Sequence, residues 1–144
     1  MAASALLLVV AAACGGDDGG GDDLAVRDAW ARATPAVVSV GAVYLRVVSP
    51  VDDELVGASV DPAIAASVQL HATDVDDAGT ATMSEQMSVP VPAGGELVLE
   101  PLGTHLMLVD LVDPLTTGER FAITLAFATG GEVTTEVEVR DTAP

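Results

Sequence analysis

Strict alternation of large and small side chains near the C-terminus most constrains how this chain can fold. In residues 121–127 the odd positions carry Phe, Ile, Leu and Phe, and only Ala or Thr stand between them. Residues 133–139 are again mostly apolar at odd positions, with Glu136 and Glu138 between them. Because successive side chains of a β-strand point to opposite faces, this period of two predicts strands with one buried face. The chain is therefore expected to be a β protein.

Further short runs of alternating residues are separated by clusters of Gly, Pro and Asp, which are typical of tight turns. They predict six more strands, at residues 40–48, 54–60, 67–75, 80–87, 96–100 and 105–111. A short helix also fits residues 62–67, but no long helical period and no internal repeat is present. The pattern is typical of an all-β Greek-key sandwich or barrel of roughly seven to nine strands.

The first 23 residues differ from the rest and are predicted to lie outside the folded domain. Ala2 to Ala13 form an apolar run of twelve residues, which suits the core of a signal peptide and is too short to span a bilayer. Small residues precede Cys14, the single cysteine, and a Gly/Asp-rich stretch follows it. This arrangement resembles a bacterial lipoprotein signal, with Cys14 lipidated; the alternative is a tail with an incidental thiol. The predicted organisation is a signal segment at 1–13, a tether at 14–23 and one domain at 24–144.

Composition excludes several classes of function. The chain has 22 Asp and Glu against five Arg and no Lys, a formal net charge of −17. Five cationic side chains are too few to neutralise a phosphate backbone or to bind an anionic membrane surface. Nucleic-acid binding is therefore not expected, and membrane contact is expected only through a lipid anchor. The strong like charge also argues against a large self-interface, which favours a monomer.

The side chains best suited to chemistry are two histidines and three internal methionines. His105 and Met107 are two residues apart in a predicted strand, so both leave the same face of that strand. Leu106 and Leu108 should then point the other way, into the core. His71 lies in another predicted strand.

A hairpin would place His71 near Met83. A three-residue loop at 76–78 pairs residue 75 with 79 and so His71 with Met83, with Cβ atoms roughly 4.5–5.5 Å apart. Another loop would shift this register, and an odd shift would separate the two side chains onto opposite faces. The spacing thus permits a shared site without fixing it. Neutral imidazoles and thioethers would form a soft ligand set that suits Cu(I) better than Zn²⁺, Mg²⁺ or Ca²⁺.

The spacing of these residues and the segments around them resemble the periplasmic copper(I) chaperones called the PCuAC family. Eleven residues separate His71 from Met83, twenty-one separate Met83 from His105, and one separates His105 from Met107. The resemblance covers about residues 24–139. The matching segments are residues 29–35, 41–45, 68–71, 91–95 and 105–108, followed by Pro114, Leu115 and Gly118.

The resemblance implies a cupredoxin-like β-barrel that binds Cu(I) through His71, Met83, His105 and Met107. It also implies export to the outer face of the cytoplasmic membrane or the periplasm. There the protein would deliver copper, without enzymatic activity, to a respiratory oxidase subunit such as that of cytochrome c oxidase or to another copper-handling protein. Two residues depart from the family pattern. Ala72 replaces a second Met that many members have, and Leu102 stands where a Gly often precedes Gly103.

Two other classes of function are less consistent with the sequence. An enzyme is disfavoured because catalytic zinc needs three harder ligands, blue copper needs a cysteine in the domain, and no Gly-x-Ser-x-Gly is present. A lipid-anchored scaffold, in which His and Met only pack, or a copper-sequestering protein without a delivery role stays open. Met87 is predicted to be a partly exposed strand residue. Asp74, Asp76 and Asp77 are predicted to form a solvated turn.

Overall fold

The computed structural model describes residues 24–144, and all regular secondary structure in that range is β-strand. The predicted signal segment at 1–13, the tether at 14–23 and Cys14 lie outside the described residues. Within residues 24–144, no helix has the length and apolar character needed to cross a bilayer. The strands are β1 (Ala25–Arg32), β2 (Val40–Val48), β3 (Asp53–Val60), β4 (Ala65–Val75), β5 (Ala81–Gln86), β6 (Val89–Val91), β7 (Glu96–Leu99), β8 (His105–Leu111), β9 (Arg120–Phe127) and β10 (Gly131–Arg140).

The ten strands form one sheet in the order β5-β4-β8-β2-β1-β10-β9-β3-β6, and β7 pairs with β2 beside this path. Strands β1 and β10 pair in parallel, and the other strand pairs are antiparallel. Strand β3 also packs against β4 without being its neighbour in the sheet, so the sheet curls around the core. The predicted all-β, cupredoxin-like fold is confirmed.

All eight predicted strands are present, but β1 and β6 were not predicted. In β1 the alternation is interrupted by a register shift between Arg27 and Trp30, where Asp28 takes a φ of +52°. Strand β6 has only three residues, and Pro90 is the central one. An interrupted period and a very short strand both hide the pattern on which a strand prediction rests.

The helix suggested for residues 62–67 is wrong, because residues 62–64 form a turn and β4 begins at Ala65. Asp61 builds this turn. Its side-chain oxygen accepts the N–H of Ala63 at 2.8 Å, and its carbonyl accepts the N–H of Ile64 at 2.8 Å. Asp competes in this way for backbone donors that a helix would use, so the chain turns once and then extends.

The register predicted for the β4–β5 hairpin is wrong by two residues. Five residues, 76–80, connect the strands, so Met83 lies opposite Thr73 and His71 lies opposite Glu85. An even shift preserves the face from which each side chain projects. Met83 therefore stays on the His71 face, one pair further along the hairpin.

Asp76 gives this connection its length. Its side-chain oxygen accepts the N–H groups of Ala78 and Thr80 at 2.9 and 2.8 Å, which orders a wider loop than three residues allow. Gly79 takes a φ of +82°, a conformation that glycine adopts without steric cost. Asp74, Asp76 and Asp77 are all exposed around this loop, as predicted.

A buried carboxylate anchors the other side of the sheet. Asp53 is 6% exposed and accepts backbone N–H groups from Glu54, Thr129 and Gly130, each at 2.8 Å. Burial alone would raise the pKa of Asp53, but these three hydrogen bonds together hold its pKa below the ordinary value of 3.8. The ionised carboxylate thus ties β3 to the turn between β9 and β10.

Candidate metal centre

Four rings stand side by side across the adjacent strands β1, β2, β8 and β4. The ring centroids of Trp30 and Tyr44 are 4.8 Å apart, those of Tyr44 and His105 are 6.4 Å apart, and those of His105 and His71 are 5.8 Å apart. The two imidazoles are stacked, with 28° between their planes. His71 and His105 are direct cross-strand partners, so the sheet itself brings the only two histidines together.

The neighbouring row of side chains on the same four strands belongs to the core. Ala31, Val43, Leu106 and Leu70 are paired across the strands and are at most 4% exposed. Because side chains alternate along a strand, burial of this row directs the row of rings to the opposite face. The prediction that Leu106 and Leu108 enter the core is confirmed, since both are fully buried.

All four predicted ligand residues project from one face of the three adjacent strands β5, β4 and β8. Met107 is two residues beyond His105 and lies opposite Gln69 on β4. His105 is 6% exposed, His71 and Met107 are partly buried, and Met83 is 55% exposed. His105 is thus the most protected of the four side chains, and Met83 is the most exposed.

Each imidazole contacts a hydrogen-bond acceptor that belongs to the residue two positions earlier in the chain. The Nδ1 atom of His105 lies 3.1 Å from the carbonyl oxygen of Gly103. Because a carbonyl can only accept, Nδ1 carries the proton, and the lone pair of Nε2 is free to bind a metal. The Nε2 atom of His71 lies 2.9 Å from the side-chain oxygen of Gln69, which fixes the opposite tautomer in His71.

The free lone pair of His71 therefore lies on Nδ1. This atom is buried, and within residues 24–144 it has no hydrogen-bond partner. Buried polar atoms in native proteins are almost always paired, so an orphaned one calls for a specific explanation. A free lone pair on a ring that stacks against a second imidazole, on the strand face that also carries Met83 and Met107, fits a soft metal ion.

Three of the four predicted ligand residues, Met83, His105 and Met107, line an open cleft of about 550 Å³, which we call the metal-site cleft. His71 stacks behind His105 and is not among the lining residues. One wall comes from the segment after β1, and another from the turn before β8. The lining residues are Arg32, Ala33, Thr34, Pro35, Val40, Gly41, Ala42, Tyr44, Thr73, Ala81, Met83, Pro101, Leu102, His105 and Met107.

Tyr44 and Arg32 both line the cleft and set its electrostatics. Burial raises the pKa of the Tyr44 phenol above its ordinary value of 10.0, and the nearby Arg32 guanidinium partly offsets that rise. The phenol is therefore neutral at physiological pH, and the positive charge of Arg32 is directed at the cleft.

Two sequence-level expectations change in detail. Met87 lies in the bend after β5, is 92% exposed and does not line the metal-site cleft, so it is not a strand residue. Ala72 lies opposite Ser84, on the face of β4 away from His71. A methionine at position 72 would start from that other face, so the family departure at this position leaves the four-residue cluster unchanged.

Sequence reasoning gave no role to Gln69, although a signal was present. Gln69 precedes His71 by two residues in a predicted strand, which places both side chains on one face. The segments that contain Tyr44 and Arg32 resemble the family, but the sequence alone assigned no role to either residue. Tyr44 lies beside His105, and Arg32 lines the same cleft, because β1, β2 and β8 pair in the sheet, which no local pattern encodes.

Comparisons with known proteins agree with this architecture. Residues 24–139 match the profile of the family described as "Putative lipoprotein LpqE-like". "Putative lipoprotein Lxx21020" of Leifsonia xyli subsp. xyli (strain CTCB07) is 34% identical over 121 residues, which cover 83% of this chain and 71% of the relative.

Two solved structures share the fold over most of the domain. The copper-bound PCuAC domain from PmoF2 superposes with a TM-score of 0.67 at 27% identity, covering 85% of this chain and 94% of that domain. The solution structure of apo-DR1885 from Deinococcus radiodurans gives a TM-score of 0.62 at 29% identity, covering 99% of this chain and 95% of that one. The expected resemblance to PCuAC domains is thereby confirmed. On the match over residues 24–139, this chain belongs to the LpqE-like lipoprotein family.

Proposed function

We propose that this protein is an exported, lipid-anchored chaperone that binds one Cu(I) ion through His71, Met83, His105 and Met107. The observation that carries the proposal is the orphaned Nδ1 of His71, which is buried next to the imidazole of its cross-strand partner His105. The copper-bound structure of the similar PCuAC domain from PmoF2 supports the choice of metal.

The chemistry of the four donors favours Cu(I) over harder ions. Thioether sulfur has little affinity for Zn²⁺, Mg²⁺ or Ca²⁺, whereas Cu(I) accepts it readily. All four donors are neutral, so the bound ion would keep a single positive charge. The two imidazoles are already fixed in tautomers that present a lone pair, so binding needs no proton rearrangement at either ring.

The graded exposure of the donors supports a transfer role by ligand exchange. The Met83 thioether is 55% exposed and belongs to the edge strand β5, so an incoming ligand would displace it first. The ion would then be shared between the partner and the three remaining donors, of which His105 is the most buried, before it leaves. Neither an acid–base pair nor a substrate pocket is needed, which agrees with a chaperone rather than an enzyme.

The acceptor and the location complete the proposal. Copper would pass to a copper-accepting subunit of a respiratory oxidase such as cytochrome c oxidase, or to another copper-handling protein. Lipidation of Cys14 would hold the protein outside the cytoplasm, as the lipoprotein names of the family and of the Leifsonia relative support. Transfer from the Cu(I)-loaded chain to a purified copper-binding domain of the oxidase tests delivery against sequestration.

A competition titration tests the metal site. The full chain, with Cys14→Ala to remove its only thiol, is titrated with Cu(I) against a chromophoric chelator under reducing conditions. We expect one equivalent to bind tightly. Met83→Leu and Met107→Leu should each weaken binding by at least about tenfold, because each removes one donor atom at nearly constant volume.

Met87→Leu is the matched control, since Met87 is 92% exposed and lies outside the metal-site cleft. This variant should bind like the parent. Equal affinity in all three Met→Leu variants, or no binding by a folded parent, would contradict the proposal and favour a scaffold in which His and Met only pack.

A further inference from the structure

The metal-site cleft carries a local charge that differs from the rest of this acidic chain. The formal net charge is −17, yet none of the described residues that line the cleft is Asp or Glu. The one charged side chain among them is Arg32, and it is exposed. A bound Cu(I) ion would add a second positive charge at the same place.

Arg32 also differs from most of the other arginines. The side chains of Arg46, Arg120 and Arg140 each lie within 4.0 Å of a carboxylate oxygen. Within the part of the chain that the structure describes, Arg32 has no carboxylate at that distance. Arg27 shares this lack but does not line the cleft. A guanidinium that faces an open cleft without an internal partner is suited to pair with a carboxylate from another molecule.

Leu102 marks the mouth of the cleft as a contact surface. It follows Pro101 in a turn closed by the N–H of Gly103 on the carbonyl of Glu100 at 3.0 Å. Its φ is +65°, at a position where glycine is normally preferred, and its side chain is 81% exposed. A leucine that is both strained and exposed gains nothing from folding, which suggests that its side chain is used in contact with another molecule.

We infer that the metal-site cleft receives an apolar segment of a copper-accepting protein in which a carboxylate lies near the incoming copper ligand, and that Arg32 pairs with this carboxylate. Leu102 supplies the apolar contact at the mouth of the cleft. The inference rests on the proposed copper site and specifies the partner's chemistry: a soft metal-binding side chain, an apolar neighbour and a negative charge. Because Met83, His105 and Met107 line the same cleft, the incoming ligand reaches the ion where Arg32 acts.

Small thiols test the charge requirement without a known acceptor. The Cu(I)-loaded full chain, again with Cys14→Ala, is mixed with N-acetylcysteine or with its amide, which lacks the carboxylate. Transfer is followed by the ultraviolet absorption of the copper–thiolate product. For each protein we take the ratio of the transfer rate with N-acetylcysteine to the rate with its amide. This ratio should be about threefold larger in the parent than in Arg32→Gln. The intrinsic difference between the two thiols cancels when the ratios of the two proteins are compared.

Arg27→Gln is the matched control, because it removes the same charge from β1 outside the cleft. It should keep the parent's preference, and Arg32→Lys should keep part of it. Raising the salt concentration should reduce the preference. Equal preferences in the parent and in Arg32→Gln would overturn the pairing.

A second pair of acceptors tests the apolar contact. N-acetyl-Leu-Cys should take copper about threefold faster than N-acetyl-Gly-Cys from the parent, and Leu102→Gly should abolish this difference. An unchanged difference would overturn the role of Leu102. If the chain sediments as a dimer that Arg32→Gln dissociates, the occupant is a second copy, and the inference about a partner is overturned. Failure to load Cu(I) would overturn the proposed function as well, whereas normal loading without either preference would overturn this inference alone.

Discussion

Asp53 and His71 both place polar atoms in the interior, but the fold satisfies one and leaves the other open. The Asp53 carboxylate accepts three backbone N–H groups. The Nδ1 atom of His71 is buried and, within residues 24–144, has no hydrogen-bond partner. A fully paired buried group contributes to stability, whereas an unpaired one costs free energy in the folded state. Asp53 thus holds the sheet together, whereas the unpaired atom of His71 is the reason that we propose this residue as a metal ligand.

The largest expected effect is on metal affinity, from His71→Leu. Loss of this imidazole should weaken Cu(I) binding by at least about a hundredfold, because the ion loses an oriented nitrogen donor. The free energy of unfolding should stay the same or rise by about 1 kcal/mol, since an unpaired buried polar atom is removed. Chelator competition and urea denaturation measure the two quantities. A variant that binds copper normally, or that unfolds much more easily, would mean that His71 is an ordinary core residue.

Asp53→Asn should have the converse effect: it should lower the free energy of unfolding and leave the affinity for copper unchanged. The amide loses the negative charge and presents a donor to backbone N–H groups, so the free energy of unfolding should fall by about 2–3 kcal/mol. Copper affinity should be unchanged. Asp77→Asn, in the exposed loop between β4 and β5, is the control and should change neither quantity.

The same carboxylate gives a pH dependence of known sign. The pKa of Asp53 in the folded protein lies below its ordinary value of 3.8, so its contribution to stability is complete above that value. It is lost as the pH falls through the lower, folded-state pKa. Urea denaturation of the parent and of Asp53→Asn should therefore give a stability difference that shrinks in this acid range. A difference that is constant with pH would show that the charge is not what stabilises the fold.

Gln69→Leu tests whether the tautomer of His71 is set from outside the ring. Without the side-chain oxygen at 2.9 Å, Nε2 loses its acceptor and both neutral tautomers become accessible. Copper affinity should fall by about tenfold, as for other residues that orient a metal ligand. Nitrogen chemical shifts of the apo protein should move for His71 and stay constant for His105, whose acceptor is a backbone carbonyl. Unchanged shifts would remove Gln69 from the site.

The smallest effect expected is from Leu102→Gly, which should raise the free energy of unfolding by about 0.5–1 kcal/mol by relieving the positive φ. Gly79→Ala is the reciprocal control. Gly79 has a φ of +82°, and nothing lies within 4 Å of an added Cβ, so backbone strain alone should destabilise this variant. If Leu102→Gly is destabilising instead, the side chain packs within this chain and is not reserved for a partner.

The strands β9 and β10, whose connecting turn binds Asp53, and the cluster around His71 also differ in how well the sequence predicts them. Alternation along β9 and β10 is a local property, and it predicts these strands and their buried faces. The same logic predicts that His105 and Met107 share a face. His71 stands next to His105 because β4 pairs with β8, strands that are far apart in the chain. No local period encodes such a pairing, so only the family resemblance brought the four residues together.

The error in the hairpin register has a similar origin. The predicted three-residue loop ignores the Asp76 side chain, which accepts two backbone N–H groups and widens the connection. The sequence pattern did not predict β1 because the strand is irregular between Arg27 and Trp30. In both places, side-chain hydrogen bonding or a local bulge overrides a simple period of two.

The direction of β1 has a consequence for an anchored copy of this protein. Ala25 begins the strand beside Val48, whereas Arg32, at its far end, lines the metal-site cleft. Ala25 and Arg32 are seven residue steps apart, so at about 3.3 Å per step β1 separates Ala25 from the cleft by up to about 23 Å. In a molecule anchored ahead of Ala25, as we propose, β1 would therefore place the metal-site cleft at the strand end farther from the anchored side of the domain.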